Sequence, residues 1–522
     1  MIYNKLINMD KFKFLGCLGI LGAAITLSSC SDDDDNAGES EGTKVTWGTN
    51  GGIKACDHIL FTADGDANVS DEGKQIGNGD AEIVFTGKQT IKKGTYLLKG
   101  WVYIADGAEL TIEPGTVIKG DKDTKAALIA ERGGKLIAQG SASEPIVFTS
   151  EAAKGSRKPG DWGGVILCGK APHNAQEAII EGGPRSKHGG NDPEDNSGVL
   201  SYVRIEFAGY PFKPNQEING LTLGSIGSGT QIDHVQVSYS NDDSFEWFGG
   251  DVNCKYLVAY RGWDDDFDTD NGFSGKVQYA LSVRGSKLAD QSQSNGFESD
   301  NDANGSTASP YTSAVFSNVT FVGPKYVDAG FQNKEDYING GSENPGNGSA
   351  LGKFQSAMQI RRGSRLNCFN SVAIGWPIGL ILDGEKGNTQ DMAKEGNLKI
   401  QNVWFADMDI TGSDANKTYE DALVTGYGED KKPILDETQK SFSSSWFLAQ
   451  TGNKAVSKDE ASTWFTANAW MPAAASPLLN AASFTDGLLS SWFDKVGFIG
   501  AFGNGEDWTA GWTNFDPQNA DY

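Results

Sequence analysis

Short alternating segments recur along this chain at intervals in the twenties. Val235-Gln236-Val237-Ser238-Tyr239, Tyr256-Leu257-Val258-Ala259-Tyr260 and Tyr279-Ala280-Leu281-Ser282-Val283 each alternate over five residues, the mark of a strand with one buried face. A triplet of Asn or Asp, a small residue and a large apolar one returns beside them. It reads Asn219-Gly220-Leu221, Asp243-Ser244-Phe245, Asn271-Gly272-Phe273 and Asn295-Gly296-Phe297, spaced by 24, 28 and 24 residues. Repeats of this length mark a solenoid. Each coil advances by one inter-strand spacing, about 4.8 Å, so the four triplets are expected to stack.

The same pattern appears nearer the N-terminus. Ile104-Ala105-Asp106-Gly107-Ala108-Glu109-Leu110 matches Ile129-Ala130-Glu131-Arg132-Gly133-Gly134-Lys135-Leu136 at an offset of 25 to 26. Each is followed by a further strand, Thr116-Val117-Ile118 and Ile146-Val147-Phe148. Among the 67 glycines of the chain, those at these corners are read as taking positive φ. The repeat lapses over 169–198, which holds His173, Arg185, His188, Asp192, Glu194 and Asp195, and again over 324–350. It resumes with Met358-Gln359-Ile360 and Leu380-Ile381-Leu382, 22 residues apart. Long excursions from one edge of a solenoid shape its binding surface.

The expected architecture is therefore all-β: a parallel β-helix over 84–430, with excursion loops and a small mixed cap over 431–522. Ser457-Lys458-Asp459-Glu460 reads as a capping box opening a short helix to Trp470. Gly497–Phe502 and Trp508–Phe515 read as terminal strands. Six tryptophans, at 446, 464, 470, 492, 508 and 512, are assigned to packing of that cap rather than to a sugar platform.

The first residues belong to no fold. Lys11 and Lys13 precede an apolar run from Phe14 to Leu27, too short for the roughly 20 residues that span a bilayer and typical of a secretory leader. Leu27-Ser28-Ser29-Cys30 resembles the lipobox of bacterial lipoproteins, in which the cysteine is acylated. Ser31-Asp32-Asp33-Asp34-Asp35 resembles the acidic tag that sends such proteins to the outer cell face in Bacteroidota. The expected order is a leader over 1–29, then over 30–83 the lipidated Cys30, an acidic tether and a lead-in. Membrane attachment is expected through that lipid, at the cell surface of the outer membrane.

The net charge of −25 becomes −27 once the leader, with three lysines and one aspartate, is removed. No Lys/Arg cluster interrupts this field, which disfavours nucleic acid and anionic bilayers as partners. Cys56, Cys168, Cys254 and Cys368 match no zinc spacing and read as buried thiols.

The candidate chemistry lies in acidic turns between 241 and 302. Asp242, Asp243 and Glu246 come first, then Asp264, Asp265, Asp266, Asp268 and Asp270, then Glu298 and Asp300. Carboxylates stacked about 5 Å apart repel by roughly 3 kcal/mol at an effective dielectric near 20. Either Ca²⁺, which favours hard oxygen ligands, compensates them, or they are solvated turn residues. Arg261 and Arg284 hold matching places after their strands and are the candidate bases for a Ca²⁺-dependent polysaccharide lyase. Polygalacturonase-like hydrolysis is disfavoured, because Asp242-Asp243 precedes Asp268-Thr269-Asp270 and no Gly-His-Gly exists.

The coils at 101–148, the segment 241–275 and the ending Gly511-Trp512-Thr513-Asn514-Phe515 resemble a group of exported parallel β-helix proteins of Bacteroidota. That resemblance implies a right-handed parallel β-helix and surface lipoprotein status, and carries no activity with it. A non-enzymatic accessory protein for the capture of a glycan or other nutrient, with a glycan or an outer-membrane transport protein as its partner, is the leading expectation. The lyase, and an adhesin or structural surface protein, are the alternatives.

Overall fold

Strand pairing follows the period. The computed structural model describes residues 58–522 except 62–64, 67–74, 78, 80–81, 182–183, 214–215 and 467–469. The leader, Cys30, the tether and Cys56 lie outside the described residues. Two long sheets, of 12 and 16 strands, are built from in-register parallel pairs; two small hairpins, 211–217 and 423–436, are antiparallel. Among the described residues pairing begins with His58–Phe61, ahead of 84, and ends with Lys454–Val456, beyond 430. This is a parallel β-helix.

Five strands of the first sheet position the site: β1 (Leu221–Ile226), β2 (Phe245–Gly250), β3 (Phe267–Asp270), β4 (Phe297–Ser299) and β5 (Ser356–Ile360). Leu221, Phe245, Phe267, Phe297 and Met358 form one column, fully buried in the core. The next residues, Thr222, Glu246, Asp268, Glu298 and Gln359, form the neighbouring column. Side chains alternate across a strand, so one residue type faces the apolar interior and the other faces outward.

This register corrects the triplet alignment. Asn219, Asp243 and Asn295 stack as expected, but the third position is Asp265-Asp266-Phe267, not Asn271-Gly272-Phe273. The true spacings are 24, 22 and 30 residues. An Asp-Asp-Phe triplet hides among neighbouring aspartates, whereas Asn271-Gly272-Phe273 is conspicuous and sits one turn further on. Asn271 instead occupies a left-handed corner at φ 52°. The stacked positions bind each corner to the next. The Asp265 amide donates to Asp243 Oδ1 at 2.8 Å, the Asn295 amide to Asp265 Oδ1, and the Ser356 amide to Asn295 Oδ1 at 3.0 Å. Side-chain oxygens thus satisfy corner N–H groups that would otherwise be orphaned.

A second column bends the other sheet. Tyr202, His234, Tyr256, Tyr279, Asn318, Asn370 and Asn402 fall at one register position, and all have φ between 48° and 63°. Left-handed backbone is costly for side-chain-bearing residues. Here stacking offsets it, with ring centroids 4.3, 4.4 and 5.0 Å apart from Tyr202 to Tyr279. Asn402 continues the column by donating to Asn370 Oδ1 at 2.8 Å.

The C-terminal residues correct the expected cap. The helix Phe442–Ala449 does close the end of the core, with Phe447 stacked 4.2 Å from Phe405. Ser457 accepts from the Glu460 amide as a capping box requires, but the helix it opens stops at Ala461. No strand forms at 497–502 or 508–515. From about 481 the chain instead runs back along the left-handed column. Asn402 donates to Ala481 O, Asn318 to Phe498 O, Gln236 to Asn514 O, and Arg157 to Pro517 O. Trp512 packs edge-on against Tyr202 and His234, and Trp508 tilts against Tyr256. Packing, not an exposed platform, is the tryptophans' role here: Trp464 and Trp512 are buried, and Trp446, Trp470 and Trp508 pack partly buried.

Candidate cation-binding groove

Acidic side chains gather on the outer face of β2 to β4. A groove of about 670 Å³ is lined by Asp242, Asp243, Glu246, Asp264, Asp265, Asp268 and Glu298, with Glu181 and Asp290 from the loops. Within it the carboxylates of Asp242, Asp243 and Asp264, and those of Asp243, Glu246 and Asp268, offer oxygens within 4.8 Å of one another. Asp243 belongs to both sets. Asn219, one coil below, donates to Glu246, and Ser292 donates to Asp264 at 2.7 Å.

Burial works against charge at these positions. It raises Asp243 well above the usual carboxylate range, and Asp242 and Asp268 add to the effect. Burial also raises Glu246, with Asp268 and Glu181 beside it, and Asp268, with Asp270 and Asp265 beside it. Asp264 is raised by burial and by Asp265. Asp265 reaches only about 6, because the Asn295 amide supports its charged form. The donors are all hard oxygens, and Asp264 Oδ1 and Asp268 Oδ1 are buried without a hydrogen-bond partner. Such a donor set fits Ca²⁺.

Three of the acidic residues singled out in the sequence do not line the groove. Asp266 turns into the core and receives Arg284 at 2.8 Å and the Ser282 hydroxyl. Asp270 is the last residue of β3, and Asp300 follows the end of β4. Burial lifts Asp270 to about 6, and Asp300 is held by Arg361 at 2.9 Å and by Arg362.

The two candidate bases are corrected as well. Arg261 and Arg284 do occupy matching register positions, donating their amides to Val283 and Val322. Their side chains part company and neither lines the groove. Arg284 is wholly buried against Asp266. Arg261 reaches Tyr239 and Glu343, each at 3.2 Å, and lies over the Tyr260 ring.

The cations of the groove are Arg361, Arg362 and Lys417, which sequence reasoning missed. The signal for the arginines was present: Ile360 stacks on Ser299, which sets Arg361 one coil beyond Asp300. Arg361 also pairs with Glu298. Burial and the neighbouring Arg362 hold its pKa below the usual arginine range. Glu181 arrives from the 169–198 excursion, whose path no period encodes.

A family model described as a pectate-lyase-like β-helix domain matches residues 84–471. The chain belongs to this family. No curated protein and no solved structure matches it. In this pectate-lyase-like β-helix the match takes in both carboxylate sets and the groove arginines, and stops before the returning C-terminal segment. Cys168, Cys254 and Cys368 are buried free thiols. Among the described residues no helix is long and apolar enough to cross a membrane.

Proposed function

We propose that this pectate-lyase-like β-helix is a lipid-anchored protein of the outer membrane surface that binds a glycan in a Ca²⁺-loaded groove, as an accessory to nutrient capture. The observation that carries the reading is the convergence of Asp242, Asp243, Glu246, Asp264 and Asp268 on one open face of the solenoid. These five side chains would hold the cation, which supplies positive charge and coordination positions for sugar oxygens. Asn219 and Ser292 orient Glu246 and Asp264. The groove crosses three inter-strand steps or about 14 Å, a length suited to an extended chain rather than a compact metabolite. Arg284 serves the core and Arg261 the excursion around Glu343, so neither acts as a base in this reading.

Two experiments test it. Isothermal titration should show Ca²⁺ binding that is lost in Asp243→Asn, and binding of glycan oligosaccharides only with Ca²⁺ present. Glycan binding unchanged by EGTA would refute a cation-loaded groove. Cys30→Ala should release the protein from the membrane fraction, and protease added to intact cells should remove the wild-type protein. Protection in intact cells would place it on the inner side.

Lyase chemistry is the second reading, favoured by Arg361, a partly buried guanidinium that lines the groove between Glu298 and Asp300 and whose pKa is lowered. Ultraviolet absorbance from an unsaturated uronate, lost in Arg361→Ala, would support it. Absence of that product across uronate polymers leaves the binding reading.

A further inference from the structure

The 169–198 excursion builds a second concave surface of opposite character. A cavity of about 470 Å³ is lined by Arg132, His173, Gln176, Lys187, His188 and Asn191, with Glu177 its one carboxylate. Two cations to one carboxylate contrasts with nine carboxylates to three cations in the groove. Among the described residues neither Arg132 nor Lys187 has a carboxylate within ion-pair distance, although the chain carries 69 acidic residues.

The histidines show that this is a formed site. His173 and His188 are two of only four in the chain, and their rings meet at 5.8 Å. His188 is 3% exposed, and its Nδ1 is fixed by Ser225 Oγ at 2.8 Å. The ring lies over Gly224, where a Cβ would come within 2.8 Å of it. A Cβ at Gly189 or Gly249 would likewise collide with His173. Burial and His173 push the His188 pKa down to about 3, so the imidazole is neutral and hydrogen-bonds without adding charge. Arg132 is oriented by donating to Gly189 O at 3.1 Å.

Arg132, Ile179 and Lys187 also line an adjoining cavity of about 410 Å³, whose two carboxylates are engaged elsewhere, Asp106 by Lys170 and Glu131 by Arg185. Ile179 bridges to Lys187 and is 56% exposed between the two hollows. Paired cations, neutral imidazoles, side-chain amides and one bare apolar side chain match the chemistry of an acidic sugar: an oxyanion, hydroxyls and a C–H ring face.

We infer that the Arg132–Lys187 cavity binds an oxyanion-bearing sugar, through a carboxylate or a sulfate ester, independently of the cation groove. The inference rests on the glycan reading only in its choice of sugar. Its test is therefore run with EGTA present, where the groove contributes nothing. Titration of the full chain with glucuronate, inorganic sulfate and glucose, at low salt, reads the site directly. Glucuronate should bind and glucose should not. Lys187→Glu and Arg132→Gln should each weaken glucuronate about tenfold, in keeping with loss of a charged hydrogen bond. Ile179→Ala should weaken glucuronate but leave sulfate unchanged. The Lys187 ammonium has no ion-pair partner among the described residues, so its variant folds as the wild type does. Binding of glucuronate alone identifies the carboxylate, and binding of sulfate as well identifies a general oxyanion site. No binding of either anion, equal binding of glucose, or unchanged affinity in both charge variants overturns the inference.

Discussion

Replacing Asp243 by Asn removes one charge from both carboxylate sets while keeping the side-chain oxygen that accepts the Asp265 amide. The column already contains asparagine at 219 and 295, so the substitution suits the corner. Two charges at the 4.8 Å limit of these sets repel by about 3.5 kcal/mol at an effective dielectric of 20. The metal-free protein escapes part of this by retaining protons, so a gain of about 1–3 kcal/mol is expected from Asp243→Asn. An unfolding entropy of about 2.1 cal/mol/K per residue, applied to roughly 460 folded residues, converts that into a rise in Tm of about 1–3 °C. Calcium should separate the two proteins. A site of about 10⁻⁴ M affinity in 1 mM Ca²⁺ adds about 1.4 kcal/mol, or about 1.5 °C, to the wild type and little to the variant. Scanning calorimetry with EGTA and with Ca²⁺ measures both. A lower metal-free Tm in Asp243→Asn, with the calcium shift intact, would refute the reasoning.

Three further outcomes are expected. The groove carboxyls and the neighbouring Asp270 have folded pKa values above their unfolded ones, so the folded protein binds more protons; metal-free stability should fall as pH rises from about 4 through about 6, where Asp265 and Asp270 titrate. Urea midpoints at pH 5 and pH 8, with and without Ca²⁺, would show this slope and its flattening by the cation. Arg284→Met strands the buried Asp266 and should cost about 3–5 kcal/mol, whereas Arg261→Ala should cost under about 1 kcal/mol; denaturant unfolding compares them. Asn271→Gly should leave stability unchanged or slightly raised, because glycine suits φ 52°, and a loss above about 1 kcal/mol would restore Asn271 to the stacked ladder.

Much of the solenoid was legible because stacking imposes a period that alternation exposes. The pairing of Met358 with Leu380 and of Leu110 with Leu136 could be taken directly from spacing. Register failed at Asn271, where a more conspicuous triplet outcompeted Asp265-Asp266-Phe267. The candidate site was legible as a concentration of aspartates, but its membership was not. Whether an aspartate faces the core, as Asp266 does, or the groove, as Asp268 does, depends on how the corner is placed in the register. The groove arginines followed from register once Ile360 was placed on Ser299. The path of residues 481–522 had no such guide, because hydrogen bonds from glutamine and asparagine side chains to a passing backbone leave no period.

That returning segment changes the order in which the molecule can be finished. Arg157 waits 360 residues for the Pro517 carbonyl, and Lys119 waits 403 for the Tyr522 carbonyl. A solenoid bound only by nearest neighbours can assemble behind its own growing end. Here the stacked rings of Tyr202, His234, Tyr256 and Tyr279 stay bare until Trp508 and Trp512 have been synthesised. The early coils therefore present an adhesive strip until residues 481–522 lie over it. Once it is closed, the coils around Lys119 and Arg157 cannot peel away without first releasing residues 517–522.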